Sequence, residues 1–565
     1  MNTKLIACIT VLVMAIVVGI VLLIDTPAEE PTTSVIVQGK DLADVRAAVE
    51  SAGGEITHEL GVIRSVGAVL TESQLEGLEE TPGLRIHENR SVEVAGKPGV
   101  VSYFPQVIGA DLLHLEGVTG RGVTIAVLDT GTYSQIALNK DTDGNCRNLA
   151  QFDAITDELV TEIQCVALTN DDSGHGSHVT SVALSSLASS NRDPLYFGVA
   201  PDANYVSVKA FDATGNGTYA NVIRGIDWLL TNKDVYDIRV VNCSFSAAVR
   251  SHYWEDPLNQ AVMALWQAGI VVVASAGNRG PDPMTIGVPG NNPYVITVGA
   301  MTDNYTPADG SDDFLASFSS TGPTYEGFVK PDVVAPGGHV LGSMPNSALI
   351  ADEHPEFYDN DSSYFTMSGT SQAAAVVSGT VALMLQADQN LSPDDVKCRL
   401  MSTARPRADG GNADSSASFS ILQQGAGMVH AWDAVYSTDY GCVNNGLDVT
   451  NDLNDIEHYG GRVQQADDGS FYLMDPDDSE GDGDHILDGD GYTWTGAYLW
   501  NDGWVWSSAY LWNDAYLWND AYLWNDAYLW NDAYLWNDAY LWNDAYLWND
   551  NLLEPAMVNV WVPQE

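Results

Sequence analysis

Ser371 stands in Gly369-Thr370-Ser371, ahead of the small-residue run Gln372-Ala373-Ala374-Ala375-Val376-Val377-Ser378-Gly379 and the apolar stretch Val381-Ala382-Leu383-Met384-Leu385. A serine where a loop enters a helix lies among unpaired backbone N–H groups, at the positive end of the helix dipole. That setting favours the oxyanion formed when a hydroxyl attacks a carbonyl. Most serines so placed only cap their helix, so the reading depends on partners. Two groups upstream have suitable chemistry. His175 opens a helical pattern in Gly174-His175-Gly176-Ser177-His178-Val179-Thr180, and Asp129 closes the apolar run Val123-Thr124-Ile125-Ala126-Val127-Leu128. An imidazole can take the serine proton, and a carboxylate held rigidly at a strand end can orient that imidazole. Asn278 closes a second apolar run, Ile270-Val271-Val272-Val273-Ala274-Ser275-Ala276-Gly277, and offers an amide donor to an oxyanion.

The chain order Asp, His, Ser is that of subtilisin-type serine proteases, and with these motifs the chain resembles the subtilase family. Further stretches carry the likeness: Gly198-Val199-Ala200-Pro201, Val295-Ile296-Thr297-Val298-Gly299-Ala300, Phe318-Ser319-Ser320-Thr321-Gly322 and Lys330-Pro331-Asp332-Val333-Val334-Ala335-Pro336-Gly337. The resemblance implies Asp129 as acid, His175 as base, Ser371 as nucleophile and Asn278 as oxyanion donor. It also implies that Ser244-Phe245-Ser246, with Ala276 and Gly277, lines the bound peptide, which would add as a strand. Two departures stand out. Ala375 occupies a position where the family usually has proline, a change the first turn of a helix should absorb. Ser246 stands where the family often has glycine, so its side chain either narrows the pocket mouth or points away. No cofactor is implied for the chemistry. Structural calcium in surface loops is the one cation the family suggests, with Asn191 and Asp193 as candidate ligands.

These groups must be positioned by alternating strands and helices, which predicts an α/β domain with a mostly parallel sheet covered on both faces; the resemblance implies the three-layer subtilisin-like fold over residues 100–438. Between His175 and Asn278 the pattern gives a strand at Tyr205 to Lys209, a helix around Asn221 to Leu230 and a strand at Arg239 to Cys243. Ser392-Pro393-Asp394-Asp395 reads as a helix start, with a serine cap, proline first and acids in the first turn.

The remaining chain divides by composition. Residues 1–28 pair Lys4 with an apolar stretch from Leu5 to Ile24, a signal peptide or membrane anchor that predicts an extracellular or cell-surface protein. Residues 29–99 alternate short β-type runs and helical periods in a small α+β pattern that resembles the inhibitor-like propeptide of subtilases. Residues 439–490 hold fifteen acids and one basic residue and read as an acidic linker; residues 491–550 carry an aromatic hexapeptide repeat, and 551–565 form a C-terminal tail. Ala-Tyr-Leu-Trp-Asn-Asp recurs seven times without change from Ala509 to Asp550. Its aromatic residues suit a carbohydrate or cell-surface ligand, or the array merely packs on itself.

Net charge is −53, with 76 acidic against 23 basic side chains and no Lys/Arg cluster, which argues against a nucleic-acid partner. The expected partners are polypeptide substrates and the chain's own propeptide, with membrane contact only through the N-terminal segment. Of six cysteines, Cys8 lies in the N-terminal apolar segment and Cys243 in a predicted buried strand. The pairs Cys146–Cys165 and Cys398–Cys442 would suit an oxidising compartment, although four cysteines allow three connectivities. A competing reading keeps the scaffold but makes the protein a non-catalytic surface adhesin whose repeats do the binding.

Overall fold

The computed structural model describes residues 32–79, 81–89, 103–161, 170–188, 196–303, 313–359, 363–406, 419–466, 469, 471–473, 504–505 and 552–555. The N-terminal apolar segment and nearly all of the hexapeptide array lie outside them, as do Asn191, Asp193 and Cys165. The chain separates into two compact units, residues 1–97 and 98–565.

The first unit is a four-stranded antiparallel sheet, order β2-β3-β1-β4, built from β1 (Thr32–Gln38), β2 (Glu55–Leu60), β3 (Ser65–Thr71) and β4 (Arg85–Glu88). Helices α1 (Leu42–Ser51) and α2 (Glu72–Glu79) complete it. Asp41 caps α1, its Oδ1 accepting from the amides of Ala43 and Asp44. Val35 and Val37 of β1, Val45 and Val49 of α1, and Val66, Ala68 and Leu70 of β3 form a core belonging to this unit alone. The alternation of apolar residues along β1 and β3 therefore builds an independent α+β fold at the place the sequence indicated.

In the second unit a mostly parallel sheet runs in the order β14-β13-β12-β10-β5-β8-β6-β7, with β15 joined to β13. Its strands are β5 (Thr124–Asp129), β6 (Asn148–Asp153), β7 (Glu158–Thr161), β8 (Asn204–Lys209), β10 (Ile238–Cys243), β12 (Val271–Ser275), β13 (Ile296–Thr302), β14 (Phe314–Leu315) and β15 (Val333–Pro336). Two short strands, β9 (Gly217–Thr218) and β11 (Phe245–Ser246), stand apart from it. β5 is central, paired in parallel with β10 and β8, and every one of its residues is buried. That explains why it reads as a continuous apolar run. The principal helices are α3 (His175–Leu184), α4 (Tyr219–Tyr236), α5 (Pro257–Gln267) and α6 (Thr370–Ala387). α6 is buried from Thr370 through Leu385, so its sequence is apolar or small on every face. Gly379 lets it approach α3, because a Cβ there would stand 2.5 Å from Val199 Cβ and 2.9 Å from the Ala183 carbonyl.

The acidic stretch 439–490 departs from expectation in its first half, which is folded against this unit. Asp448 caps a short helix, Val449–Leu453. The buried Asp452 accepts from the hydroxyls of Tyr253, at 2.6 Å, and Tyr294, at 2.9 Å. Tyr459 and Val463 join the main core. Counting carboxylates predicts repulsion; here specific donors on the neighbouring surface and a few interspersed apolar side chains outweigh it. The disulfide Cys398–Cys442, one of the connectivities that the sequence left open, ties this stretch to the helix Pro393–Ser402. Cys146 is also disulfide-bonded, and Cys243 is a free, buried thiol.

Candidate active site

Asp129 ends β5 and His175 begins α3, and the two meet: His175 Nδ1 lies 2.7 Å from Asp129 Oδ1, with both side chains almost wholly buried. Oδ1 also accepts from the Thr130 amide at 2.8 Å. Burial by itself would depress the imidazole pKa, but the charge and hydrogen bond of Asp129 outweigh it, and the net displacement is upward. His175 Nδ1 thus donates to the carboxylate, and Nε2 is the atom left to accept a proton.

A second carboxylate, missed by the sequence reading, holds the head of α3. Asp171 accepts from the Gly174 amide at 2.8 Å, the Ser177 amide at 2.8 Å, Ser177 Oγ at 2.5 Å and Thr130 Oγ1 at 2.8 Å. Thr130 Oγ1 in turn accepts from the Gly176 amide at 2.8 Å, which ties the loop after Asp129 to α3. Gly176 is required here, because any side chain would collide with the Gly131 carbonyl. The signal was legible as an acid four residues ahead of His175, where it satisfies helix N-terminal amides. One turn along α3, His178 is driven to a pKa of about 3 chiefly by burial. It stays neutral, with Nε2 donating to the Phe365 carbonyl at 3.0 Å and Nδ1 accepting from Gln372 at 3.4 Å.

Ser371 occupies the first turn of α6 and is buried. Its Oγ donates to the Ser244 carbonyl at 3.2 Å, while Ser244 Oγ donates back to the Ser371 carbonyl at 2.9 Å. Asn242 donates to Ser244 Oγ at 2.8 Å and accepts from Ser378 at 2.9 Å, so α6 is pinned to the end of β10. His175 Nε2 makes no hydrogen bond among the described residues. A hydrogen bond between Ser371 Oγ and His175 Nε2 is therefore not formed in this arrangement. Ala375 continues α6 without a break, as the first-turn argument anticipated.

Asn278 is oriented by Thr370, the residue before Ser371. Its Oδ1 accepts from the Thr370 amide at 3.0 Å and from Thr370 Oγ1 at 2.9 Å, which turns the Nδ2 end away from Thr370. The Gly277 amide donates to Thr370 Oγ1 at 3.3 Å. Sequence reasoning named Asn278 but gave Thr370 no role. It also left the direction of Ser246 open, and the structure decides it. Ser246 Oγ lies 3.0 Å from where a Cβ on Gly277 would stand, and a side chain on Gly287 would collide with it. The hydroxyl fills space walled by those two glycines. Among the described residues no cluster of three or more His, Cys, Asp or Glu side chains is arranged to hold a metal ion.

Residues 120–426 match the subtilase family model. The chain is 43% identical over 286 residues to serine protease AprX of Bacillus subtilis, covering 50% of this chain and 60% of that one. It is 30% identical over 360 residues to subtilisin E of the same species, covering 63% of this chain and 79% of that one. Among solved structures, fervidolysin from Fervidobacterium pennivorans, a keratinolytic enzyme related to subtilisin, aligns with a TM-score of 0.47 at 22% identity, covering 80% of this chain and 69% of that one. With more than half its length matched by the family model, this chain belongs to the subtilase family, the subtilisin-like serine endopeptidases.

Proposed function

We propose that the chain hydrolyses peptide bonds with Ser371 as nucleophile, His175 as general base and then acid, and Asp129 as the group that fixes the imidazole. His175 Nε2 takes the proton of Ser371 Oγ as the oxygen attacks the carbonyl. Asp129 stabilises the imidazolium so formed, and Asn278 Nδ2 together with the Ser371 amide holds the oxyanion. Collapse gives an acyl-enzyme and protonates the leaving amine from His175, and water then reverses the sequence. The observation that carries this reading is the 2.7 Å bond between His175 Nδ1 and Asp129, which commits Nε2 to proton transfer. Ser246 Oγ, filling the space over Gly277 and Gly287, favours a small side chain on the acyl residue of the substrate.

The enzyme is read as a zymogen exported through residues 1–28, its first compact unit acting as the removable inhibitor. The Cys398–Cys442 disulfide agrees with an oxidising destination. Among the described residues no helix is long and apolar enough to cross a membrane. A fluorophosphonate probe tests the nucleophile: intact mass should show one adduct on wild type and none on Ser371→Ala. Labelling of both proteins alike would reject Ser371. N-terminal mass mapping tests the zymogen, since wild type should lose residues up to about the boundary between the two units while Ser371→Ala keeps them.

A further inference from the structure

The loop that follows Asp129 and the loop that precedes His175 are tied together along their length. Asn170 Oδ1 accepts from the Thr132 amide at 2.9 Å, and the Asn170 amide donates to the Thr132 carbonyl at 3.3 Å. Gly131, at φ 113°, runs so close that a Cβ there would stand 2.6 Å from the Asn170 carbonyl oxygen. Lys209, the last residue of β8 and the register partner of Asp129, donates to that same carbonyl from Nζ at 2.6 Å. At the centre of these ties stands the buried Asp171.

Each oxygen of Asp171 collects one amide and one hydroxyl. Oδ1 takes the Gly174 amide and Thr130 Oγ1, and Oδ2 takes the Ser177 amide and Ser177 Oγ. Both hydroxyls are thereby given a direction. Thr130 Oγ1 points its proton at Asp171 and so accepts from the Gly176 amide at 2.8 Å; Ser177 Oγ does the same and accepts from the Tyr133 amide at 3.0 Å. These are two crossing bonds between residues 130–133 and α3, and both depend on an acceptor-only group at 171, which a carboxylate is and a carboxamide is not. Thr130 also links the two acids, since its amide donates to Asp129 Oδ1 at 2.8 Å while its hydroxyl donates to Asp171.

We propose that Asp171 is a positioning residue for proton transfer at His175: through Thr130 and Ser177 it fixes how Asp129 meets the imidazole, and its charge supports the imidazolium. The inference rests on the proteolytic reading above. Burial lowers the His175 pKa, Asp129 and after it Asp171 raise it, and the net displacement is upward. The other titratable groups packed around this network are neutral His178, one turn along α3; Tyr133, whose phenol is pushed up to about 12 chiefly by burial; and Cys243, at the end of β10, whose thiol is pushed up by burial and by Asp129. Lys209 and the exposed Asp172, 3.6 Å apart, complete the set of charges.

The experiment uses the full chain, with active sites titrated by a fluorophosphonate and kcat and KM on a chromogenic peptide followed against pH. Asp171→Asn should lose roughly a hundredfold in kcat per titrated site with KM little changed, and the acid limb of kcat/KM should move down by roughly one pH unit. Thr130→Val keeps the Asp171 charge but removes the hydroxyl bridge, so it should lose roughly five- to a hundredfold in kcat and leave the limb in place; Thr130→Ser, which keeps the hydroxyl, should recover most of that loss. A purely structural Asp171 predicts instead fewer titratable sites and a lower melting temperature, with kcat per site and the limb as in wild type. That result, or an Asp171→Asn enzyme within about threefold of wild-type kcat, overturns the proposal and leaves the proteolytic reading standing. If Asp171→Asn does not fold, the Thr130 pair decides, and equal kcat for Thr130→Val and Thr130→Ser overturns the proposal. Wild type that neither takes up the fluorophosphonate nor cleaves peptides overturns the proteolytic reading as well.

Discussion

Replacing Asn278 by alanine tests its proposed role as oxyanion donor. In the folded enzyme its Oδ1 takes two hydrogen bonds from Thr370, at 3.0 and 2.9 Å, so the amide cannot turn over without giving up both. In the proposed mechanism the amide so oriented donates to a charge that exists only in the transition state, and preorganisation of this kind is what catalysis rewards. Removing one such donor typically raises the barrier by about 2.7 to 4 kcal/mol, or roughly a hundred- to a thousandfold in kcat. KM should scarcely change, because the ground-state carbonyl does not depend on that donor. Thr370→Val tests the positioning role separately. It deletes the Oγ1 bond to Asn278 and the bond that Oγ1 accepts from the Gly277 amide but keeps the Thr370 amide bond, and two hydrogen bonds of about 0.5 to 1.5 kcal/mol each predict a loss of roughly five- to a hundredfold in kcat. Steady-state kinetics on a chromogenic peptide, with active sites titrated, reads both values. An Asn278→Ala enzyme within about threefold of wild-type kcat, or one whose loss lies wholly in KM, would refute the reasoning.

Three further outcomes follow from the same geometry. His175 must be neutral to accept a proton and its pKa is raised, mainly by Asp129 acting against burial, so kcat/KM should rise with pH through a value above the ordinary 6.5; Asp129→Asn should move that limb downward and cost about 10⁴ in kcat, read from a pH–rate profile. Ser246→Gly should improve kcat/KM for peptides with Leu or Phe at the acyl residue relative to Ala by roughly 10- to 200-fold, measured on a matched peptide series. Asp332 lies between two fully buried ammonium groups, Lys330 at 2.6 Å and Lys397 at 3.2 Å, and burial has already pushed Lys330 down to about 7. Asp332→Ala should therefore destabilise the fold by about 3 to 5 kcal/mol in urea unfolding, and a loss below about 1 kcal/mol would contradict the pairing.

Much of the site was legible because its signals are local. Asp129, His175, Asn278 and Ser371 each stand at the end of a strongly patterned element, and β5 and β12 could be recognised from buried-strand runs without knowing what covered them. The first compact unit was legible for the same reason, through the period-two runs of β1 and β3. Asp171 and Thr370 were visible as residue types, but their work depends on amides and hydroxyls brought in from other segments. The folded half of the acidic stretch was misread because charge density is a sum over residues, whereas Asp452 is held by two particular tyrosine hydroxyls far away in sequence.

The sequence by itself determined where Asp129, His175, Asn278 and Ser371 stand at the ends of patterned elements, their order and the parallel sheet that presents them, since strand and helix periods and the glycines at their ends are properties of adjacent residues. Only the tertiary structure decided that Ser246 faces the glycine wall, that Thr370 orients Asn278, and that two distant tyrosines hold Asp452. Side-chain direction at a loop and pairing between distant strands are fixed by what packs against them, and that information is spread over the whole polypeptide.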